Sequence, residues 1–216
     1  MEGLDSVQIR VLGCLLEKQQ TTPDAYPLTL NALRLACNQT TSRDPVVEYD
    51  EATVRDAAQR LGQRGLARLA SYHGSRSSKY RHLADEALAL APDERALLCV
   101  LMLRGPQTVG ELKQRSEKLH RFEDLSSLER TLDRLTEREL GRWLERRPGQ
   151  KEARYAHLLE SEAAGPPEAG APSPQADPEG LADEVARLRR ELDEVRQEVA
   201  ALRRQVNASD SRTLSA

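Results

Sequence analysis

The chain has 216 residues, 32 basic and 35 acidic side chains, a net charge of -3, and only 3% aromatic residues. That length holds one large domain or two small ones; the near-neutral balance excludes a polybasic coat for nucleic acid, though not a local basic patch, and the scarcity of rings excludes an aromatic-lined sugar or haem pocket. The longest apolar run, Leu97 to Leu103, is too short to cross a bilayer, and the opening MEGLDSVQIR lacks the basic start and apolar core of a signal peptide, so a cytoplasmic location is expected.

In chain order, Leu4, Val7, Val11 and Leu15 form one stripe, widened by Leu12 and Leu16, and predict a helix from about Leu4 to Gln19. Thr22-Pro23 reads as a cap followed by proline at a first helical position, starting a short turn. A second helix is expected from about Leu30 to Cys37, capped by Thr29, and a third from about Asp50 to Gln63, with Val54, Ala57, Ala58 and Leu61 inward and Gly65 as the stop. The period then changes: two short strands around Leu66 to Ala70 and Ser77 to Arg81 flank a polar hairpin at Tyr72 to Ser77.

The same order returns. Val54, Ala58, Leu61 and Leu66 recur as Leu128, Leu132, Leu135 and Leu140 at an offset of 74, and KYRHL (Lys79 to Leu83) recurs as RYAHL (Arg154 to Leu158) at an offset of 75. Helices are expected near Pro92 to Arg104, Val109 to Lys118 and Ser126 to Arg138, then a strand around Gly141 to Arg146, a tip at Arg147 to Lys151 and a return strand through Tyr155 and Leu158. Three helices, a strand, a hairpin and a strand is the order of a winged helix-turn-helix. The fold class expected is therefore α+β and mostly helical, with tandem winged units at 1–91 and 92–160. The link Ser42 to Tyr49 before the third helix is longer than its counterpart in the second unit.

Residues 161–180 hold five prolines, three glycines and no large apolar side chain, which predicts a disordered linker. From there Leu181, Val185, Leu188, Leu192, Val195, Val199, Leu202 and Val206 alternate at spacings of four and three, the seam of a coiled coil over 181–206, with 207–216 a disordered tail. Val185, Leu192, Val199 and Val206 take the a positions, so the β-branched layer favours two strands. Glu184, Glu191 and Glu198 at g face Arg189, Arg196 and Arg203 at e in a parallel homodimer, whereas an antiparallel pair sets like charges together. No asparagine in the seam fixes the register, so a trimer stays open, as does a lone helix folded back on the domains.

The stretch RVLGCLLEKQQTTPDAYPLTLNALRLACNQ, Arg10 to Gln39, followed by SRDPVVEYDEATVRDA, Ser42 to Ala57, resembles the YceH-like family of uncharacterised bacterial proteins, and the likeness extends less densely to about residue 160. The resemblance implies tandem winged-helix domains and brings no activity, ligand or catalytic residue. The chain departs from the pattern at Ile9, where an acid is common, and at Thr40, where a lysine is common; the second weakens the expectation of a basic surface there.

A winged unit reads DNA with its third helix in the major groove and its wing on the backbone. The first unit offers Arg55, Gln59, Arg60 and Arg64 on the helix, with Arg76 and Lys79 at the wing; Asp50, Glu51 and Asp56 oppose phosphate or serve the helix start. The second offers the stronger stripe, Arg130, Arg134 and Arg138 at spacing four, with Arg142, Arg146, Arg147 and Lys151 toward the wing. Glu129, Asp133 and Glu137 each precede one of its arginines, and pairing within the helix is the plain alternative. Trp143 is expected half buried under the wing, and Tyr80 and Tyr155, at equivalent repeat positions, are expected to pack.

Double-stranded DNA binding by a homodimer is one reading, and a protein-interaction adaptor that leaves these faces solvated is the other. No nucleophile turn, phosphate loop, HExxH helix or Cys-His pair appears, so no enzyme activity and no cofactor are expected, and Glu17, Asp24 and Asp44 fit capping and solubility. Cys14, Cys37 and Cys99 sit in apolar helical patterns and read as reduced core residues; with no CxxC and four scattered histidines, no metal site is expected.

Overall fold

A computed structural model describes residues 3–70, 78–146, 150 and 152–161 of the chain. The chain divides into two units, Met1–Gly165 and Pro166–Ala216. The linker, the heptad seam Leu181 to Val206 and the tail lie outside the described residues, as do Arg76, Arg147 and Lys151. The first unit is a mixed α and β structure with two small antiparallel sheets.

Its first half opens with α1 (Ser6–Thr21), capped by Asp5, whose carboxylate accepts from the Gln8 amide while the Gln8 side chain accepts from the Asp5 amide. A 3-10 turn at Pro23–Ala25 and the two-residue β1 (Leu28–Thr29) lead into α2 (Leu30–Cys37), which Thr29 caps by accepting from Ala32 N–H. α3 (Glu51–Gln63) is capped by Asp50 and ends at Gly65, whose φ of 73° lies in the left-handed region. β2 (Ala67–Ala70) and β3 (Lys79–His82) follow, and the sheet order is β1-β3-β2. The short α4 (Ala84–Ala87) joins this half to the next.

The second half contains α5 (Pro92–Arg104), α6 (Val109–Ser116), α7 (Leu125–Glu137), β4 (Gly141–Leu144) and β5 (Arg154–His157). Helix boundaries fall within two residues of those the periodicity predicts. β1 and α4 are absent from the sequence reading because two and four residues are too few to show a period. β4 stops at Leu144, short of the expected Arg146.

The repeat is realised bond by bond. Leu66 N–H donates to Leu61 O at 2.9 Å and Leu140 N–H to Leu135 O at 2.9 Å; Leu83 N–H donates to Leu66 O at 2.8 Å and Leu158 N–H to Leu140 O at 2.9 Å. Tyr80 is paired in register with Leu28 and Leu69, and Tyr155 with Gln107 and Trp143. Gln107 thus takes in the second half the place of a β1 residue, reduced to a single bridge.

Both first helices are buried on nearly every side: Gln8 to Leu16 in α1 and Ala96 to Leu103 in α5 are all buried, so the apolar run noticed in the sequence is the centre of the molecule. They pack on each other at Gly13. A methyl group there would stand 2.9 Å from Leu103 Cδ2, and the Cys99 thiol donates to Gly13 O at 3.5 Å. One continuous apolar core runs from Leu4 through both halves to Tyr155. All three cysteines are free thiols inside it, as the apolar spacing predicts.

Candidate nucleic-acid interface

On α3, Arg55 and Gln59 stand one turn apart and are exposed. Glu51 lies 3.8 Å from Arg55, both side chains half in solvent, a pair of little energetic weight. Asp50, which sequence reading set against a phosphate, is spent at the helix start, accepting from Thr53 N–H at 2.7 Å, and those bonds hold its carboxyl below the usual range. Lys79 is half-buried at the start of β3, opposite Ala70 and Thr29.

The next two arginines face the other way. Arg60 Nη1 donates to Asp5 Oδ2 at 2.6 Å and its Nε lies 3.0 Å from Asp56; Arg64 Nη1 donates to Gly3 O at 2.8 Å. The last turn of α3 is therefore clamped to the first turn of α1.

The second half repeats the clamp with stronger partners. Arg134 bonds Asp93 Oδ2 and lies 3.5 Å from Glu94, while Arg138 donates to Glu94 Oε2 at 2.5 Å and to Leu88 O. Glu94, only 3% exposed, also accepts from Ala91 N–H at the start of α5. Burial works to raise the Asp93 carboxyl, but hydrogen bonds from Thr131 and Arg134 outweigh it and hold the group below its ordinary value. The stripe Arg130, Arg134 and Arg138 is thus divided. Arg134 and Arg138 pair with the acids at the α5 start rather than with those beside them on α7, and Arg134 also donates to Thr131 Oγ1 at 3.3 Å. Arg130 is exposed, beside the exposed acids Glu129, Asp133 and Glu137.

Beyond the helices, Arg142 on β4 is exposed and makes no ion pair or hydrogen bond among the described residues, and Arg146 is exposed with its Nη2 on Gln150 O. Trp143 between them is 40% exposed and meets the Tyr155 ring edge-on at 5.2 Å, half covered as expected. Tyr155 is fully buried, its hydroxyl donating to Leu132 O at 2.9 Å and paired with Thr136 Oγ1. Sequence reading passed over Arg68, exposed on β2. The repeat offset of 74 would have found it, since it sets Arg68 on Arg142 and Leu69 on Trp143, and β2 and β4 share one burial pattern.

A second constellation has no sequence signal at all. Arg43, 6% exposed, forms a two-pronged pair with Glu17 at 2.7 and 3.0 Å, and also donates to Ala36 O and Gln39 Oε1. Arg10, 4% exposed, donates to Cys37 O at 3.2 Å and Pro45 O at 2.5 Å. Burial favours a neutral Glu17, yet the Arg43 hydrogen bond and charge hold its carboxyl below the ordinary value. Asp44 N–H donates to Leu103 O, and Asn38 exchanges two bonds with the Tyr49 backbone. The long link Ser42 to Tyr49 is therefore a strap across α1, α2 and α5, and Glu17 serves structure.

Among the described residues no group of three or more His, Cys, Asp and Glu could hold a metal ion, and no helix is long and apolar enough to cross a membrane. A cavity of about 230 Å3 opens between the halves, lined by Leu4, Leu12, Leu66 and Leu88 from one and Leu140, Leu158 and Leu159 from the other, with Glu139 at its wall.

Residues 4–150 match the family model described as "Protein of unknown function, DUF480". The chain is 48% identical over 209 residues to a UPF0502 protein of Pelobacter propionicus, covering 94% of this chain and 95% of the relative. It is 46% identical over 206 residues to one from Stenotrophomonas maltophilia, covering 93% and 94%, and 50% identical over 162 residues to one from Pseudomonas aeruginosa, covering 75% and 72%.

Proposed function

Starting from a chain that belongs to the DUF480 family, described as of unknown function, we propose a non-enzymatic protein of tandem winged-helix units, 1–91 and 92–160, that binds double-stranded DNA mainly through its first half. The observation that carries this reading is the open set Arg55, Gln59 and Arg68, on α3 and the following strand, after Arg60 and Arg64 are set aside as clamps. Gln59 suits an adenine edge, Arg55 a guanine edge or phosphate, and Arg68 with Lys79 the backbone. Among the described residues of the second half, Arg142 and Arg146 keep a phosphate role and Arg130 stays exposed for the groove, while Arg134 and Arg138 are committed to α5. The heptad seam would hold two chains in parallel and raise the effective concentration of weak contacts.

The test is fluorescence anisotropy of the full chain against a labelled mixed duplex of about 20 base pairs at several salt concentrations. We expect affinity to fall as salt rises, and the Arg55→Glu/Arg68→Glu pair to weaken it about tenfold or more, while Arg134→Lys leaves the salt slope unchanged. Binding that ignores salt and both reversals defeats the reading.

A second reading, a protein-interaction adaptor, is favoured by two observations of its own: the leucine-lined cavity between the halves, with Glu139 at its wall, and the exposed Trp143. The two readings share Arg142 and Arg146 beside Trp143 and differ at Arg55, Gln59 and Arg68, which only the DNA reading uses.

A further inference from the structure

The outer edge of β4 carries backbone groups with no partner among the described residues, and their direction follows from β5. Tyr155 gives its N–H to Gln107 O at 2.7 Å and receives the Gln107 N–H on its own carbonyl at 3.0 Å. Both polar groups of Tyr155 therefore point away from β4. In an antiparallel pair the bonded positions alternate, so Arg154 and Ala156 bond Leu144 and Arg142, their register partners. The N–H and C=O of Trp143, opposite Tyr155, consequently point outward, where no strand lies among the described residues. β4 is an edge strand with a half-exposed tryptophan at its centre.

We propose that this edge accepts an extended peptide as an added strand, and that the peptide alternates acidic with apolar residues. The alternation comes from the pleat. Trp143 leans over Tyr155 on the core side, so a neighbouring strand sets an apolar residue against its indole. Arg142 stands on the solvent side, exposed and without a partner among the described residues, and Arg146 lies further along the same chain segment. The peptide residues on that side face cations, and carboxylates complement them. β4 is short and carries Arg142 on its solvent face, but it has no proline, bulge or inward-pointing charge and presents Trp143 at its centre. The equivalent edge β2 has Leu69, a smaller and non-aromatic anchor, at the same register position.

The proposal rests on the protein-contact reading above, and its use of the β4 backbone and Trp143 separates it from DNA binding, with which it shares Arg142 and Arg146. The chain has one tryptophan, so its emission reports on this edge alone. The experiment titrates the full chain with a labelled synthetic peptide of alternating aspartate and valine, following Trp143 emission and label anisotropy together. We expect a saturable emission shift, loss of at least about tenfold in affinity when every second peptide amide is N-methylated in the matching register, and a similar loss for the lysine-valine analogue. Arg142→Glu, exposed and expected to leave the melting temperature unchanged, reverses the preference between the two peptides. Anisotropy that rises with unaltered tryptophan emission places the contact elsewhere, such as the cavity, and overturns only the β4 assignment. No binding of either peptide overturns the assignment and counts against the adaptor reading as well. Equal binding of the N-methylated forms in both registers rules out strand addition.

Discussion

The two halves of the described unit are built alike and stabilised differently. Each ends its third helix with two arginines that reach back to the start of its first helix. In the first half the acceptors are Asp5 and the Gly3 carbonyl, with Asp5 34% and Arg60 43% exposed; in the second they are Asp93, 21% exposed, Glu94, 4% exposed in its side chain, and the Leu88 carbonyl. Likewise Tyr155 is sealed by two hydroxyl contacts beneath Gly141, while Tyr80, in the half that carries Ala67 at the equivalent position, has no such bonds to its hydroxyl among the described residues. A shared architecture thus tolerates a solvent-screened clamp in one copy and a buried one in the other. In the second half Arg134, 44% exposed, and Arg138, 33% exposed, are held by acids that are themselves better buried. This leaves the first half the better candidate for DNA and the second half's open strand the better candidate for a peptide.

The sharpest way to break the comparison is Gly141→Ala. A methyl group there would lie 2.4 Å from Tyr155 Cε1, and the ring cannot move without giving up its hydroxyl bonds, so we expect a loss of about 3 kcal/mol in urea unfolding. The first half already carries alanine at this place, and Ala67→Gly should cost under about 1 kcal/mol. If the two substitutions prove equal, the halves do not differ as described.

Next in size are the clamps. Glu94→Ala removes a buried carboxylate and strands Arg138, and we expect a loss of about 2–3 kcal/mol, against about 1 kcal/mol or less for Arg60→Ala at the exposed pair. A double-mutant cycle on Glu94 and Arg138 checks that the difference is the pair itself.

The histidines sharpen the same contrast through pH. Burial pushes the His157 imidazole down to about 4, below its unfolded value, so the folded state binds fewer protons and its stability falls as pH drops through the window from about 6.5 to 4. His157→Gln should flatten that part of the stability curve, by about 1–2 kcal/mol at the acid end, since the half-buried ring is partly screened by solvent. His82, its counterpart, is also lowered by burial, but Asp85 and Glu86 act against that while Arg95 and Arg81 reinforce it. Its replacement should therefore flatten the curve less. Equal flattening would show that the neighbouring charges do not matter.

The smallest expected effect concerns Glu139, which adopts φ 54° where the first half has Gly65 at φ 73°. Glu139→Gly should stabilise the protein by about 0.5–1 kcal/mol, because glycine meets no Cβ clash in the left-handed region. No gain would mean that the wall of the cavity uses the glutamate in some other way.

The helices and the repeat were legible because periodicity and caps are local: Thr29, Asp50 and Gly65 each do at a helix end what their chemistry suggests. The destination of an arginine was not. The side chains of Arg134 and Arg138 choose between solvent, an acid one turn away on α7 and Glu94, some forty residues distant in sequence and brought close only by α5 packing. Spacing at four residues ranked that stripe above the first half's, while the packing ties two arginines of each half, Arg60 with Arg64 and Arg134 with Arg138, to the start of its first helix. Arg10 and Arg43 were harder still. A buried cation is recognised by the carbonyls and the carboxylate that surround it, and Cys37 O, Pro45 O and Glu17 come from three separate segments. The edge of β4 lies between these extremes: the strand was foreseen, but the outward direction of the Trp143 amide depends on a bridge from Gln107 that a single residue makes.

Leu4 N–H donates to Leu159 O at 2.8 Å and Ser161 N–H to Leu4 O at 2.9 Å, so the first described residues and the last run side by side. A circularly permuted gene that joins residue 161 to residue 3 through a short glycine linker, and opens the chain at Ala89 between α4 and α5, would keep every packed helix pair while exchanging the order of synthesis of the halves. Such a permutant would separate what the α1 to α5 packing contributes from what covalent continuity at the 88–92 junction contributes.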